Sequence, residues 1–189
     1  MTSAELNDLD PHRYVVTGGP SVGKQAVFDA LQKRGFSCTK GEPARDIYRK
    51  FKLKLGRHLK VGDRRDYSAE VLRAFIDEYC QHKNGIRFYN RGIPDGFGWD
   101  RFFGLGPSPE LAEATRTYRY DAVFILDPLD TFQDEMDVVW AKDRELRRVH
   151  ELIIQGYYDA GYEPIFVPAD AADVRADFVL SNVSKRSER

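Results

Sequence analysis

The chain has 189 residues, with 29 lysines and arginines against 30 aspartates and glutamates, a formal charge of −1. That length suits one domain with a full hydrophobic core and falls short of two ordinary ones. A hydrophobic share of 42% with 13% aromatic residues excludes a disordered chain, and 31% charged residues argue for a soluble one.

The longest purely apolar run, Ala122 to Leu126, is far shorter than the roughly 20 residues of a membrane span. The polar N-terminal segment carries Glu5, Asp8 and Asp10 and does not read as a secretory signal. Cys38 and Cys80 form no CxxC and have no histidine pair nearby, so neither a disulfide framework nor a zinc site is expected. The expectation is a cytoplasmic protein with no membrane partner, one domain over 1–189 with its core in 13–183.

The near-neutral total hides an asymmetry. Residues 45–65 hold nine basic side chains (Arg45, Arg49, Lys50, Lys52, Lys54, Arg57, Lys60, Arg64, Arg65) and two acids, Asp46 and Asp63. This segment is +7, which leaves −8 for the rest.

In chain order, Tyr14 to Thr17 reads as a buried strand followed by a glycine-rich turn. A helix follows over Lys24 to Arg34, with Val27, Phe28 and Leu31 on one face and Gly35 as its stop. Phe36 to Thr39 is a second short strand, and Ala44 to about Leu55 is helical. Ser68 is read as the N-cap of a helix carrying Val71, Leu72, Phe75, Ile76 and Tyr79, ending near Asn84-Gly85. Ile86 to Tyr89 and Ala122 to Leu126 are the third and fourth strands. A long helix from about Lys142 to Gly161 buries Leu146, Val149, Ile153 and Tyr157. Ile165 to Val167 is a fifth strand, Ala172 to Leu180 a closing helix, and the tail from Lys185 is frayed. Alternating strands and helices predict an α/β fold, a mainly parallel five-stranded sheet with helices on both faces and ligands at the strands' carboxyl ends.

The sharpest motif is Gly18-Gly19-Pro20-Ser21-Val22-Gly23-Lys24, which fits G-x-x-x-x-G-K between a strand and a helix. Such a P-loop curls its backbone so that amide N–H groups and the helix N-terminus face a polyphosphate, and Lys24 bridges the outer phosphates. The next position normally carries a serine or threonine hydroxyl for Mg²⁺. Here it is Gln25, a weak metal ligand at best.

With Arg34-Gly35-Phe36, Glu42-Pro43-Ala44-Arg45-Asp46-Ile47 and Tyr89-Asn90-Arg91-Gly92-Ile93-Pro94-Asp95, the chain resembles the small AAA-domain P-loop ATP-binding proteins. These are similar in fold to nicotinamide-riboside kinase and other small-molecule kinases. The resemblance runs over about 13–180. It implies a nucleoside-kinase-like topology and ATP, with Mg²⁺, on Gly18 to Gln25. It further implies an acceptor facing Glu42, Arg45 and Arg91, and an arginine-bearing lid within 128–150. Three positions depart from the pattern: Gln25 for the hydroxyl, Asn90 for an aspartate at the third strand's end, and Asp137 for an arginine after Gln133-Asp134.

The residue-level expectations follow. Lys24, Asn90, Arg91 and Asp95 are the catalytic candidates. Asp95 suits base or metal work and equally a helix N-cap. Glu42 and Arg45, three apart, either bracket the acceptor with Arg91 or form an ordinary salt bridge. Arg144, Arg147 and Arg148 are lid candidates or a solvated face. Phe97, Trp99, Phe102 and Phe103, spaced by glycines, either stack a ring or pack a helix on the sheet. His12, His58, His82 and His150 receive no catalytic role, and His82 and His150 are read as surface residues.

Segment 45–65 has three readings: a nucleic-acid or polyanion binder, a cradle for a multiply phosphorylated small substrate, or a solvated face balancing Asp127, Asp130, Asp134, Glu135 and Asp137. The functional expectation is an ATP-dependent small-molecule phosphotransferase or ATPase with an altered magnesium site. The alternative is a nucleotide-binding regulator with little turnover.

Overall fold

The structure, a computed structural model, describes residues 10–129 and 143–187. Asp130, Gln133, Asp134, Glu135 and Asp137, and with them most of the expected lid, lie outside the described residues.

Five strands form one parallel sheet: β1 (His12–Thr17), β2 (Ser37–Cys38), β3 (Ile86–Asn90), β4 (Ala122–Leu126) and β5 (Ile165–Val167), in the order β2-β3-β1-β4-β5. Val15 pairs with Tyr89 on one side and Val123 on the other. Every connection crosses over through helix, which forces parallel pairing and brings all strand ends to one edge.

The two-residue strand period sorts the core. Tyr14 and Val16 of β1, with Phe124 and Leu126 of β4, face α1 (Lys24–Lys33) and α7 (Ala172–Ser187) through Val27, Phe28, Leu31, Ala176, Val179 and Val183. Val15, Tyr89, Val123 and Ile125 point the other way, towards α3 (Arg64–Gln81), α4 (Asp95–Phe102), α5 (Pro109–Thr117) and α6 (Asp143–Asp159). Each such fully buried large side chain contributes about 2 kcal/mol relative to exposure. α2 (Pro43–Leu55) lies beyond β2 and packs on α3.

The expected helix from Lys142 is α6, and Leu146, Val149, Ile153 and Tyr157 are indeed its buried face. It meets α4 backbone to backbone. A Cβ added at Gly98 would sit 2.7 Å from the Ile153 Cα, and one at Gly156 would sit 2.9 Å from the Pro94 carbonyl oxygen. Of the glycines spacing the aromatic patch, Gly98 therefore serves close helix packing, whereas Gly104 has open space around it.

Several expectations are corrected. α3 begins at Arg64, so Ser68 is no N-cap; inside the helix it donates instead to Asp100 Oδ1 at 2.7 Å. α4 answers to the helix alternative at Asp95 and the aromatic patch, while α5 has no counterpart among the expected elements. α5 is nonetheless capped by Ser108, which accepts from the Leu111 N–H at 3.0 Å, with Pro109 at its first turn. α7 runs to Ser187, past the expected fraying point. His82 and His150 are buried, because each ring satisfies a backbone group: His82 Nε2 bonds the Gly85 carbonyl, and His150 Nδ1 accepts from the Gly19 N–H.

Candidate functional site

The loop from Gly18 to Gly23 springs from the carboxyl end of β1 in the middle of the sheet. Ser21 and Gly23 adopt positive φ (60° and 80°), which turns successive N–H groups inward into an anion-binding nest at the start of α1. Serine tolerates that conformation poorly. Lys24 is buried, and its Nζ donates to the Gly19 carbonyl at 2.7 Å, folded over its own loop.

The loop is clamped from outside by two residues to which the sequence reading gave no role. His150 on α6 accepts from the Gly19 N–H at 3.0 Å, and a side chain at Gly19 would strike the His150 Cβ at 2.9 Å. Burial, with the Lys24 cation nearby, pushes this imidazole below its usual range against the pull of Asp127 and Glu151. Arg175 on α7 is fully buried and donates to the Val22 carbonyl at 2.8 Å and the Asp127 carbonyl at 2.7 Å. None of these three contacts has a sequence signature, because they join residues 131, 153 and 48 positions apart.

Asp127 itself, directly after the apolar strand β4, is a further candidate. A run of apolar residues ending in Asp beside the loop strand is a recognisable pattern for a magnesium carboxylate. β1 and β4 are paired up to Thr17 and Ile125, which brings that strand end to the loop.

A buried ionic network lies next to the loop. Arg91, at the end of β3, adopts φ 73° and is almost wholly buried. Its Nε donates to Glu42 Oε1, and its Nη1 donates to Asp95 Oδ1 and to the Gly18 carbonyl, both at 3.1 Å. Its Nη2 makes no hydrogen bond among the described residues. Burial opposes the charge, but Glu42 and Asp95 outweigh it and raise the guanidinium pKa above the ordinary arginine value. Burial likewise acts to raise the Glu42 carboxyl, yet Arg91, Lys24 and Arg45 overcome it and hold it at about 2. Arg45 Nη2 lies 3.4 Å from Glu42 Oε2.

Asp95 is neither a free carboxylate nor the cap of its own helix. Thr17 Oγ1 (2.7 Å) and Arg91 share Oδ1, while Tyr157 Oη (2.6 Å) and the Gly92 N–H (2.9 Å) share Oδ2. Asn90 is buried; Thr39 Oγ1 accepts from its N–H at 2.9 Å, and its Oδ1 has no partner among the described residues. Gln25 is exposed, and its amide nitrogen donates to Asp29 one turn along α1.

The nest, helix N-terminus and lysine fit a polyphosphate. For Mg²⁺ the available oxygens are the Asp127 carboxylate and the orphaned Asn90 Oδ1, with no hydroxyl following Lys24. Among the described residues no group of three or more His, Cys, Asp or Glu side chains could hold a metal ion. No described helix is long and apolar enough to cross a membrane.

Beside this network opens a cavity of about 1250 Å³ between α2, α3, α4 and α5. It gathers Pro20 of the loop with Glu42, Arg45, Arg91 and Asp95, which the sequence reading grouped as catalytic or acceptor residues. Trp99 and Phe103 line it, while Phe97 is buried in the core. The patch thus divides between ligand-facing and packing residues. Arg144, Arg147 and Arg148 are not part of this cavity; they stand exposed on α6 with Glu151 around a separate shallow depression.

The fold is shared with solved kinases. The NadR protein in complex with NR superposes with a TM-score of 0.67 at 14% identity over 95% of this chain, which spans only about half (52%) of the NadR chain. Deoxyadenosine kinase from M. mycoides with dCMP and dCDP matches at 0.62 and 11%, covering 92% of this chain and 98% of that one. Shikimate kinase from Acinetobacter baumannii in complex with shikimate matches at 0.59 and 11%, with 99% of both chains covered. No curated protein matches in sequence. The strand–loop–helix with its lysine, the parallel sheet and these likenesses make the fold that of the small P-loop kinases. Residues 13–175 match the family model described as an AAA domain, and the chain belongs to that family.

Proposed function

We propose that the chain binds a nucleoside triphosphate, ATP, on residues 18–25 and transfers its terminal phosphoryl group to a small acceptor in the adjoining cavity. The observation that carries this reading is the shared wall: Pro20 belongs both to the loop and to the cavity lining, so the two ligands would meet end to end. Phosphoryl transfer asks the protein chiefly for positioning and charge stabilisation.

The loop amides and Lys24 hold the phosphates. Arg91, with one nitrogen uncommitted, and Arg45 orient the acceptor, and Glu42 anchors both. Asp95, saturated by four donors, positions Arg91 and takes no proton. Mg²⁺ arrives with the nucleotide and would be held by Asp127 and the Asn90 amide oxygen, supplying charge neutralisation at the phosphates. Arg144, Arg147 and Arg148 keep the lid role, on the first turns of α6. Arg45, Arg49, Lys52, Arg64 and Arg65 all line the cavity, which favours the small-substrate reading of the basic segment over the nucleic-acid one. The whole operates as one domain, and cytoplasm is the compartment that suits an ATP-dependent reaction.

A second reading, a nucleotide-binding regulator with little turnover, is favoured by the loss of the carboxylate at Asn90 and by Gln25 turning to Asp29. Titration with ATP and GTP, with and without Mg²⁺, tests the common ground. Lys24→Ala should weaken binding by roughly a hundredfold, and unchanged affinity sinks the loop assignment. Phosphate release then separates the readings. Turnover by the natural chain above background supports the transferase, whereas turnover only in the Gln25→Thr/Asn90→Asp double variant supports the regulator.

A further inference from the structure

The cavity is charged in one sense. Seven cationic side chains line it (Arg45, Arg49, Lys52, Arg64, Arg65, Arg73 and Arg91) against four carboxylates, Glu42, Asp95, Asp100 and Glu110. Three of those carboxylates are already engaged: Glu42 by Arg91 and Arg45, Asp95 by its four donors, and Asp100 by Ser68 at 2.7 Å with Arg65 at 3.6 Å.

Arg64 stands apart from the other cations. It is half-buried, and its Cζ stands over the Phe103 ring, 3.9 Å from the centroid. Among the described residues its one hydrogen bond is a long contact to the Leu59 carbonyl at 3.5 Å, and no carboxylate there pairs with it. The neighbouring Asp63 is taken by Arg57 at 2.6 Å. Burial pulls the Arg64 pKa down from its ordinary value and outweighs the upward pull of Tyr48, Tyr67 and Asp63.

Most of the remaining lining is apolar or aromatic, with Ser68, Ser108 and His58 among it. Val71, Leu72, Phe75 and Ile76 of α3 turn to the cavity together with Tyr67, Trp99 and Leu111. Val71, Leu72 and Ile76, the periodic apolar residues that mark α3 in the sequence, are only partly buried, although core residues at such spacing are normally covered. A stacked guanidinium with its remaining N–H groups free is a fork for a carboxylate or a phosphate. Flat rings and aliphatic side chains beside it suit an apolar body.

We infer that the acceptor taken by this cavity is an amphipathic anion: a molecule with a flat or apolar body that already carries a carboxylate or phosphate, held by Arg64 on Phe103. A neutral sugar-like or nucleoside acceptor leaves the Arg64 guanidinium without an anion among the described residues. The inference names the substrate class of the transferase reading and rests on that reading only for the word acceptor; binding in the cavity stands on the lining alone.

The test uses the full chain and three naphthalene probes that share one ring: naphthalene-2-carboxylate, 2-naphthyl phosphate and the neutral naphthalene-2-carboxamide, titrated by fluorescence. The tighter-binding anion is expected to exceed the carboxamide by at least about tenfold, the factor that one charge-assisted hydrogen bond contributes. Whether carboxylate or phosphate binds better identifies the anion. Arg64→Met, which keeps the stem on Phe103, should abolish the preference, and Arg64→Lys should keep part of it. An ATP titration of Arg64→Met at wild-type affinity shows that the fold and the loop are intact.

The inference is overturned if the carboxamide binds within about threefold of both anions, if Arg64→Met retains the preference, or if no probe binds at millimolar concentration. Lys24→Ala should leave all three probes unaffected. Failure of ATP binding therefore strikes the transferase reading and failure of the probes strikes this one.

Discussion

The glycine-rich loop and the adjoining cavity touch at Pro20, yet they are built in opposite ways. The loop is one contiguous stretch whose conformation follows from its own glycines, Ser21 and the start of α1. The cavity wall is drawn from positions between Glu42 and Leu111 on four helices, none of which knows its neighbours from local sequence. Damage to the wall should spread through packing, whereas damage to the loop should stay chemical.

The strongest challenge to that contrast is Arg91, which belongs to both regions. Arg91→Met leaves Asp95 as a buried carboxylate without its cation, leaves Glu42 with Arg45 alone as its ion-pair partner, and frees the Gly18 carbonyl. Losing one partner of such a pair should destabilise the fold by about 3–5 kcal/mol, read as the urea midpoint, and should weaken ATP binding as well. A stable variant with normal ATP affinity would show that the network is ornamental.

Gly98→Ala addresses the wall by itself. The added methyl meets Ile153 and Leu152 backbone atoms within 3 Å, which no side-chain rotation relieves. Separation of α4 from α6 should cost about 2 kcal/mol and impair binding in the cavity, with ATP affinity retained below the melting temperature. A neutral Gly98→Ala contradicts the close approach.

The smallest expected effect lies on the loop side and depends on pH. The folded His150 ring has its pKa lowered, while an unfolded one titrates near the ordinary value of about 6.5. The unfolded chain therefore binds more protons in that window, and stability present above about pH 6.5 is lost as pH falls towards the folded value. A protonated ring also cannot accept the Gly19 N–H. His82 shifts in the same direction, again chiefly through burial. His150→Phe should cost about 1 kcal/mol at pH 7.5 and lose less further stability than wild type on going to pH 5.5. An equal loss in both assigns the effect to His82 or elsewhere.

These two constructions explain what could be read in advance. All five strands were legible because each is a short apolar or β-branched run between turn signals, and α6 because its apolar residues repeat every three or four positions. α5 has no counterpart in the sequence reading, and α4 enters only as one alternative, because glycines at 96 and 98 lower its helix propensity and packing on α6 supports it instead. The start of α3 was misread because Ser68 looks like a cap and is in fact an interior donor to Asp100, 32 residues away. His82 and His150 were taken as surface residues because helical spacing reports which face a side chain occupies, not which backbone group waits opposite it.

The sequence by itself determined the five strands, the glycine-rich loop with its lysine and the residues gathered at its edge, since a contiguous motif carries its own geometry. Tertiary structure alone decided that Asp95 is saturated, that His150 and Arg175 clamp the loop, and that Arg64 is left with a ring and no acid. Each of those facts is a meeting between residues distant in the chain, governed by desolvation and packing rather than by local pattern. The balanced charge of −1 likewise concealed a cavity with a positive surplus, because charge acts through space and composition counts only residues.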